Sequence, residues 1–360
     1  MYSIMVLLVV TSGCARVGFD AAGDGGSVND VSVDDGLKVD GLKVDGLKVD
    51  GLKVDGLKVD GLKVDGLKDG PADGPEADLK LADGPEADLK SGDSGVVPGT
   101  WIAISKGTFL MGAPNDNCPV NSYEHQVTLT HSFEMQSTEV TGGQFLAVMG
   151  YDPSFDKTCG GDCPVEWVTW HEAVAYCNTL SGTRGLPACY SCNNSGSDVR
   201  CQEATGYTGQ ELYSCPGYRL PTDAEWEYAY RAGTTTPYYN GVNDPTKCNE
   251  CLTIDANADV IGWYCANSGA VKHQVQQKQA NSWGLYDMAG NVYEWCHDGW
   301  SNLLDTAAKT NPIALGNANR VIRGGNFRDP PSIMRAAARG LAGATLPSHV
   351  LGFRCTRSLD

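Results

Sequence analysis

The residues that could do chemistry are unevenly spread along 360 positions. Fourteen are cysteines, thirteen of them between Cys118 and Cys355. Cys189 and Cys192, and Cys248 and Cys251, have the Cys-x-x-Cys spacing that can hold zinc through thiolates. The same spacing serves disulfides in an oxidising compartment, and so high a cysteine count favours disulfides. Thirteen is odd, so at least one thiol stays unpaired. Arg323, Arg335, Arg339 and Arg354 could each grip a carboxylate with two hydrogen bonds, and Trp283 and Trp295 could add flat apolar contact in a cleft. The plainer alternative pairs these arginines with internal acids and packs the tryptophans in a core. No Ser/His/Asp set and no glycine-rich phosphate loop after a strand is present. His171, in the first turn of a helix, reads as a half-exposed helix residue.

Three helices must position these groups. Thr141-Gly-Gly-Gln144, Thr169-Trp-His-Glu172 and Thr222-Asp-Ala-Glu225 each have the spacing of a capping box. Gly150, Gly182 and Gly233 follow as stops, which makes the helices two to three turns long. Weak alternation predicts strands at 109–111, 125–129 and 320–323. Residues 183–219 and 234–280 are rich in Gly, Asn, Ser and Cys and read as long loops stapled by disulfides. The class is α+β with little regular structure.

The chain divides sharply at about residue 97. Acids outnumber bases 19 to 10 in residues 15–97, so just over half of the formal charge of −17 lies there. That charge excludes a nucleic-acid binder, which needs a basic stripe, and adsorption to an anionic membrane surface. Residues 36–65 are six copies of Gly-Leu-Lys-Val-Asp, followed by two copies of Ala-Asp-Gly-Pro-Glu-Ala-Asp-Leu-Lys. A period of five fits neither helix nor strand, and the glycines and charges read as a disordered, self-repelling linker over 14–97. As a flexible coil it would reach roughly 50 Å. Ahead of it, Ile4–Val10 is an apolar run too short to span a bilayer, as in a signal peptide over 1–13. Thr11-Ser12-Gly13-Cys14 resembles a bacterial lipobox. That resemblance implies lipidation of Cys14 and a mature protein exported and anchored to the cell envelope by its acyl chains alone, most simply on the outer membrane.

Residues 98–360 carry a second resemblance. Gly107-Thr-Phe-Leu-Met-Gly112, Glu139-Val-Thr, Pro164-Val-Glu-Trp-Val-Thr-Trp170, Tyr218-Arg-Leu-Pro-Thr-Asp-Ala-Glu-Trp-Glu-Tyr228, Gly284-Leu-Tyr-Asp-Met-Ala-Gly-Asn-Val-Tyr-Glu-Trp295, Arg323-Gly-Gly-Asn326 and Leu351-Gly-Phe-Arg354 occur in order. Together they resemble the formylglycine-generating-enzyme, or sulfatase-modifying factor, family. The resemblance implies that family's fold, related to C-type lectins. It also implies an oxidase in which two nearby cysteines bind copper(I) and a sulfatase cysteine is oxidised by oxygen, since soft thiolates select that ion. Here no cysteine lies between Cys296 and Cys355. Met334 cannot replace two thiolates, and Asn326 stands where the family commonly has Ser. No copper is therefore expected.

The family's calcium loop is better preserved. The resemblance implies carboxylate ligands from Asp287 and Glu294 and backbone carbonyls from Gly290 and Val292, holding a structural ion. Read from the residues alone, Asp287 and Glu294 could simply cap a turn. The resemblance also implies that Cys177 would pair with a cysteine at the position of Ala336, which is absent. The expectation is a non-catalytic binding or structural module, with Trp283, Arg323, Asn326, Arg335 and Arg339 lining a cleft for an unidentified protein or glycan. The alternative is a formylglycine-generating oxidase, or a related oxidase using other residues.

Overall fold

The computed structural model describes residues 99–113, 124–301, 306–316 and 318–360 in full, and the backbone of 3–10, 13–20 and 31–32. The chain forms two units, Met1–Leu89 and Lys90–Asp360. In the first, β1 (Ser3–Val10), β2 (Gly13–Asp20) and β3 (Val31–Ser32) form an antiparallel sheet in that order. The start of the segment expected to be a structureless linker is thus extended chain in a ladder. Val17 and Phe19 supply an alternation that the five-residue repeats lack. Thr11, Ser12, the six Gly-Leu-Lys-Val-Asp copies and the two longer repeats lie outside the described residues.

The second unit opens with β4 (Trp101–Ile104), β5 (Gly107–Met111), β6 (His125–Leu129) and β7 (Phe133–Gln136). Helix α1 (Gly142–Met149) and helix α2 (Trp170–Thr183) follow. The hairpin β8 (Tyr190–Asn193) and β9 (Arg200–Glu203) leads to helix α3 (Asp223–Arg231). After them come α4 (Ala256–Ile261), β10 (Gly262–Trp263), β11 (Ala289–Gly290), β12 (Tyr293–Gly299) and β13 (Lys309–Thr310). The chain ends through β14 (Asn319–Arg323), β15 (Gly340–Gly343), β16 (Leu351–Gly352) and β17 (Thr356–Ser358).

All three capping boxes form. The Thr141, Thr169 and Thr222 hydroxyls accept from the backbone of Gln144, Glu172 and Glu225, whose side chains reach back to the cap. Each exchange satisfies two N–H groups that a helix start leaves bare. The predicted stops hold only once. Gly150 takes the left-handed conformation that ends α1, but Gly182 lies inside α2, and α3 ends at Ala232, itself left-handed at φ 46°.

The sheets are small: β15-β14-β12-β16, β13-β6-β5, β17-β7-β4, β10-β11 and β8-β9. Strand β12 separates two apolar cores. Because successive side chains in a strand point to opposite faces, Trp295 packs with Trp170, Tyr176 and Phe353 around α2. Cys296 packs with Trp226, Tyr230 and Val321 around α3. Each such fully buried large side chain contributes about 1.5–3 kcal/mol. Disulfides tie the loops: Cys189–Cys215, Cys192–Cys201, Cys251–Cys265 and Cys159–Cys163. Among the described residues no helix is long and apolar enough to cross a membrane.

Candidate functional site

The segment from Asp287 through β11 to Glu294 in β12 carries the expected calcium residues. Asp287 and Asn291 sit at φ 55° and 59°, and Gly290 at φ 75°. Gly290 has a second reason to be glycine, because a Cβ there would collide with the carbonyl of Trp263 on the paired strand β10. Asp287 is buried, and one carboxyl oxygen accepts from the backbone N–H of Gln276 at 2.8 Å. The other, Oδ1, has no partner. Burial pushes the Asp287 carboxyl up to about 6. Val292 is fully buried, its backbone joining this loop to β12. Glu294 is also fully buried, but both its oxygens are taken. Arg354 grips it through Nε and Nη2 at 2.7 Å each, and Trp226 Nε1 donates to Oε2 at 2.8 Å.

A third carboxyl was not expected in this loop's neighbourhood. Glu139 is fully buried and neither of its carboxyl oxygens has a partner. Burial pushes its pKa well up, and the nearby Asp287 and Glu294 carboxylates push the same way against Arg354. Three buried carboxyls therefore share one guanidinium, with three oxygens left bare. Buried polar atoms without partners are rare, and each needs a proton or a cation to explain it. Among the described residues no three His, Cys, Asp or Glu side chains converge as a ready ligand set. A hard cation would thus combine the bare oxygens of Glu139 and Asp287 with backbone carbonyls, as calcium coordination permits. The signal for Glu139 was in the Glu139-Val-Thr motif, which by itself named no role.

The arginines expected to line a cleft are mostly consumed internally. Arg323 is fully buried; its Nε donates to Asp223 at 2.5 Å, Nη2 to Glu227 at 2.9 Å and Nη1 to the carbonyls of Ala336 and Ala338. Arg339 shares Asp223 and donates to the carbonyl of Ser301. Arg231 completes the set on Glu227 at 2.7 Å. Arg335 is buried and donates to the carbonyl of Ser332. Asn326 is buried and bound to Asp329, while Trp283 packs edge-on against Tyr228. The structure therefore joins Arg323 and Arg339 on one acid but does not gather the five residues around one opening.

Arg339 and Asp223 instead line a cavity of about 380 Å³ with His125, Gln210, Asp298 and Lys309. Asp298 accepts from the backbone N–H groups of Asp223 and Ala314 at 2.8 Å each. Burial, reinforced by the Asp223 carboxylate, raises it to about 7. For Asp223 burial pushes the other way from Arg323 and Arg339, and the two cations win, leaving it below the usual range.

The cysteines follow the disulfide reading. Neither Cys-x-x-Cys pair is a zinc clasp; Cys189 and Cys192 cross to Cys215 and Cys201, Cys251 joins Cys265, and Cys248 is also disulfide-bonded. Cys177, Cys296 and Cys355 are free and buried. With alanine at position 336, Cys177 stays a free thiol; Ala336 packs in the core around α3 while Cys177 packs in the one around α2. The Cys355 thiol has its pKa pushed well up by burial first and by the nearby Cys177 next. His171 is half-buried and accepts from the backbone of Cys201, and burial lowers its pKa.

Comparison with known proteins places this arrangement. The sulfatase-modifying factor enzyme 1-like domain matches residues 90–359. The chaperone protein LppX of Paenibacillus barcinonensis is 33% identical over 218 residues, 54% of this chain and 72% of that protein. The formylglycine-generating enzyme of Streptomyces coelicolor is 34% identical over 155 residues, 40% of this chain and 48% of that enzyme. The chain thus spans about half the length of that enzyme. Among solved structures, Treponema denticola variable protein 1 superposes with a TM-score of 0.59 at 27% identity, over 73% of this chain and 98% of that one. PvdO from Pseudomonas aeruginosa has the same fold, with a TM-score of 0.56 at 22% identity, over 75% of this chain and 100% of that one. The small sheets, short capped helices and ordered motifs agree with these matches: the chain belongs to the sulfatase-modifying factor enzyme 1-like family.

Proposed function

We propose that this protein is a non-catalytic binding or structural module of its family, displayed on the cell envelope through a lipid on Cys14 and steadied by a structural calcium ion. The observation that carries the first part is the state of its thiols. A copper(I) oxidase needs two thiolates that oxygen and a substrate cysteine can reach. Among the described residues the free thiols Cys177, Cys296 and Cys355 are all fully buried. Burial holds Cys296 and Cys355 protonated. The segment from Asn326 to Arg339 has no cysteine. A relative described as a chaperone supports a role without turnover in this family.

Calcium fits the bare oxygens of Glu139 and Asp287; bound there, it supplies positive charge against three carboxylates. Copper titration combined with oxidation of a sulfatase-derived cysteine peptide tests the catalytic alternative. No turnover is expected; copper-dependent turnover, abolished by a copper chelator, would overturn the proposal. Metabolic labelling with a fatty acid, compared between the natural chain and Cys14→Ala, tests the anchor. Loss of label and release from membranes are expected for the variant.

A further inference from the structure

We propose that the exposed rings of Phe155 and Trp167, with Arg328 set beside them by His349, form a binding platform for acidic saccharides. The inference rests on the reading of the domain as a binding module and gives that module a site.

Phe155 is 71% exposed and Trp167 38% exposed, unlike Trp170, Trp226 and Trp295, which are fully buried in the cores. Their ring centroids are 5.2 Å apart with planes at 33°, and His349 lies 6.3 Å from Phe155. Trp167 adopts φ 64°, a conformation that bulky side chains rarely take. Strain of this kind persists only where the surroundings impose it, and it clusters at functional sites. Here the surroundings are explicit. Glu166 is fully buried and bonds Lys272 at 3.1 Å, Val168 is fully buried, and the Trp167 N–H donates to the Ser348 carbonyl at 3.0 Å. Both neighbours are drawn inward, so the left-handed residue between them turns its indole out. Glu166 also accepts from the backbone of Asp156 at 2.8 Å, which fixes Phe155 to the same frame.

The charge beside the rings is equally fixed. Arg328 is exposed, lies over the Phe327 ring at 5.2 Å, and donates through Nη1 to His349 Nε2 at 2.7 Å. An arginine N–H can only donate, so His349 Nε2 is the acceptor in this contact. Among the described residues no carboxylate pairs with Arg328. Nearby acids are committed elsewhere: Asp329 to Asn326, Asp156 to Thr158 and Glu166 to Lys272. On a chain of net charge −17, a guanidinium with no carboxylate partner is thus tied through His349 to an exposed ring pair. Flat rings match the apolar face of a pyranose, and a planar fork of N–H donors matches a carboxylate. A neutral sugar would use only the rings, and an acidic peptide chiefly the guanidinium.

Calorimetric titration of the full chain with tetragalacturonate, maltotetraose and polyglutamate tests the platform. Tetragalacturonate should bind most tightly. Phe155→Ala and Trp167→Gly should each weaken it by about tenfold or more, the glycine keeping the left-handed backbone. Arg328→Gln should reduce tetragalacturonate to the level of maltotetraose, with melting temperatures of all variants near that of the parent. Tetragalacturonate binding that survives these substitutions overturns the platform but leaves a binding module. Polyglutamate binding as tight as the saccharide assigns the patch to a protein partner and overturns the proposal. No binding of any probe also overturns it, and copper-dependent peptide oxidation by the same preparation would remove the underlying reading as well.

Discussion

Two buried charge networks lie in one domain and are built on opposite plans. Around α3, Arg231, Arg323 and Arg339 meet Asp223 and Glu227, with Asp298 close by. Three cations face three acids, and one of the acids is shifted to about 7. Around the β11–β12 loop, Arg354 alone faces Glu139, Asp287 and Glu294. The first network is closed, with Arg323 donating to four separate acceptors. The second is open, with three carboxyl oxygens bare. Closed networks lock a fold in place, whereas an acid-rich one is completed by protons or by a cation.

Breaking the closed network should cost most. Arg323→Ala strands Asp223 and Glu227 in the core and should lower stability by about 3–5 kcal/mol in urea unfolding. A loss below about 1 kcal/mol would mean that the network is not closed. The same kind of measurement on Glu139→Gln should have the opposite sign. In chelator at about pH 8 this variant should be more stable by on the order of 1–3 kcal/mol, because it removes a buried carboxyl whose oxygens have no partner. On the proposed calcium reading it should also lose most of the parent's stabilisation by added calcium; an unchanged calcium response would separate Glu139 from the ion.

The pH dependence sharpens the contrast. Asp298 and Asp287 have folded pKa values raised to about 7 and about 6, above those of an unfolded chain. The native state therefore holds more protons than the unfolded state in this window. Stability should rise as pH falls from about 8 to about 6, and it should be lost as pH climbs through those values. Calcium should flatten only the part due to Asp287, which melting curves across pH with calcium and with chelator would reveal. The smallest effect concerns the cap of the helix that carries Asp223 and Glu227. Thr222→Ala should cost about 1 kcal/mol by the same melting curves, without altering the calcium response.

Much of this architecture could be read before any coordinates. The three Thr-x-x-Glu/Gln boxes placed α1, α2 and α3, because capping is local chemistry between residues three apart. The ends of α2 and α3 were less legible. Gly182 is carried through by the packing of α2, and Ala232 takes a left-handed turn that local propensity assigns to Gly233. The site was harder. An arginine's partner is set by chain folding over long distances: Arg354 meets Glu294 60 residues away, and Arg323 meets Asp223 100 residues away. Glu139 stayed hidden for the same reason. So did the chain of hydrogen bonds from Glu203 through His297 to Tyr190, which spans 107 residues. Disulfide pairing was beyond reach, since Cys-x-x-Cys spacing is silent about a partner in another loop.

The sheet β17-β7-β4 joins the first strand of the folded unit to its last. Trp101 pairs with Gln136, and Ser358 with Phe133, so residues some 250 positions apart flank one short strand. The domain cannot close this sheet until its final residues have been delivered. Once β17 docks, the same geometry acts as a latch. Losing Thr356–Ser358 would expose an edge of β7 and also release Arg219, whose backbone exchanges hydrogen bonds with Thr356 at 2.8 Å in both directions. Proteolytic trimming of the last few residues would thus loosen the fold near its first strand.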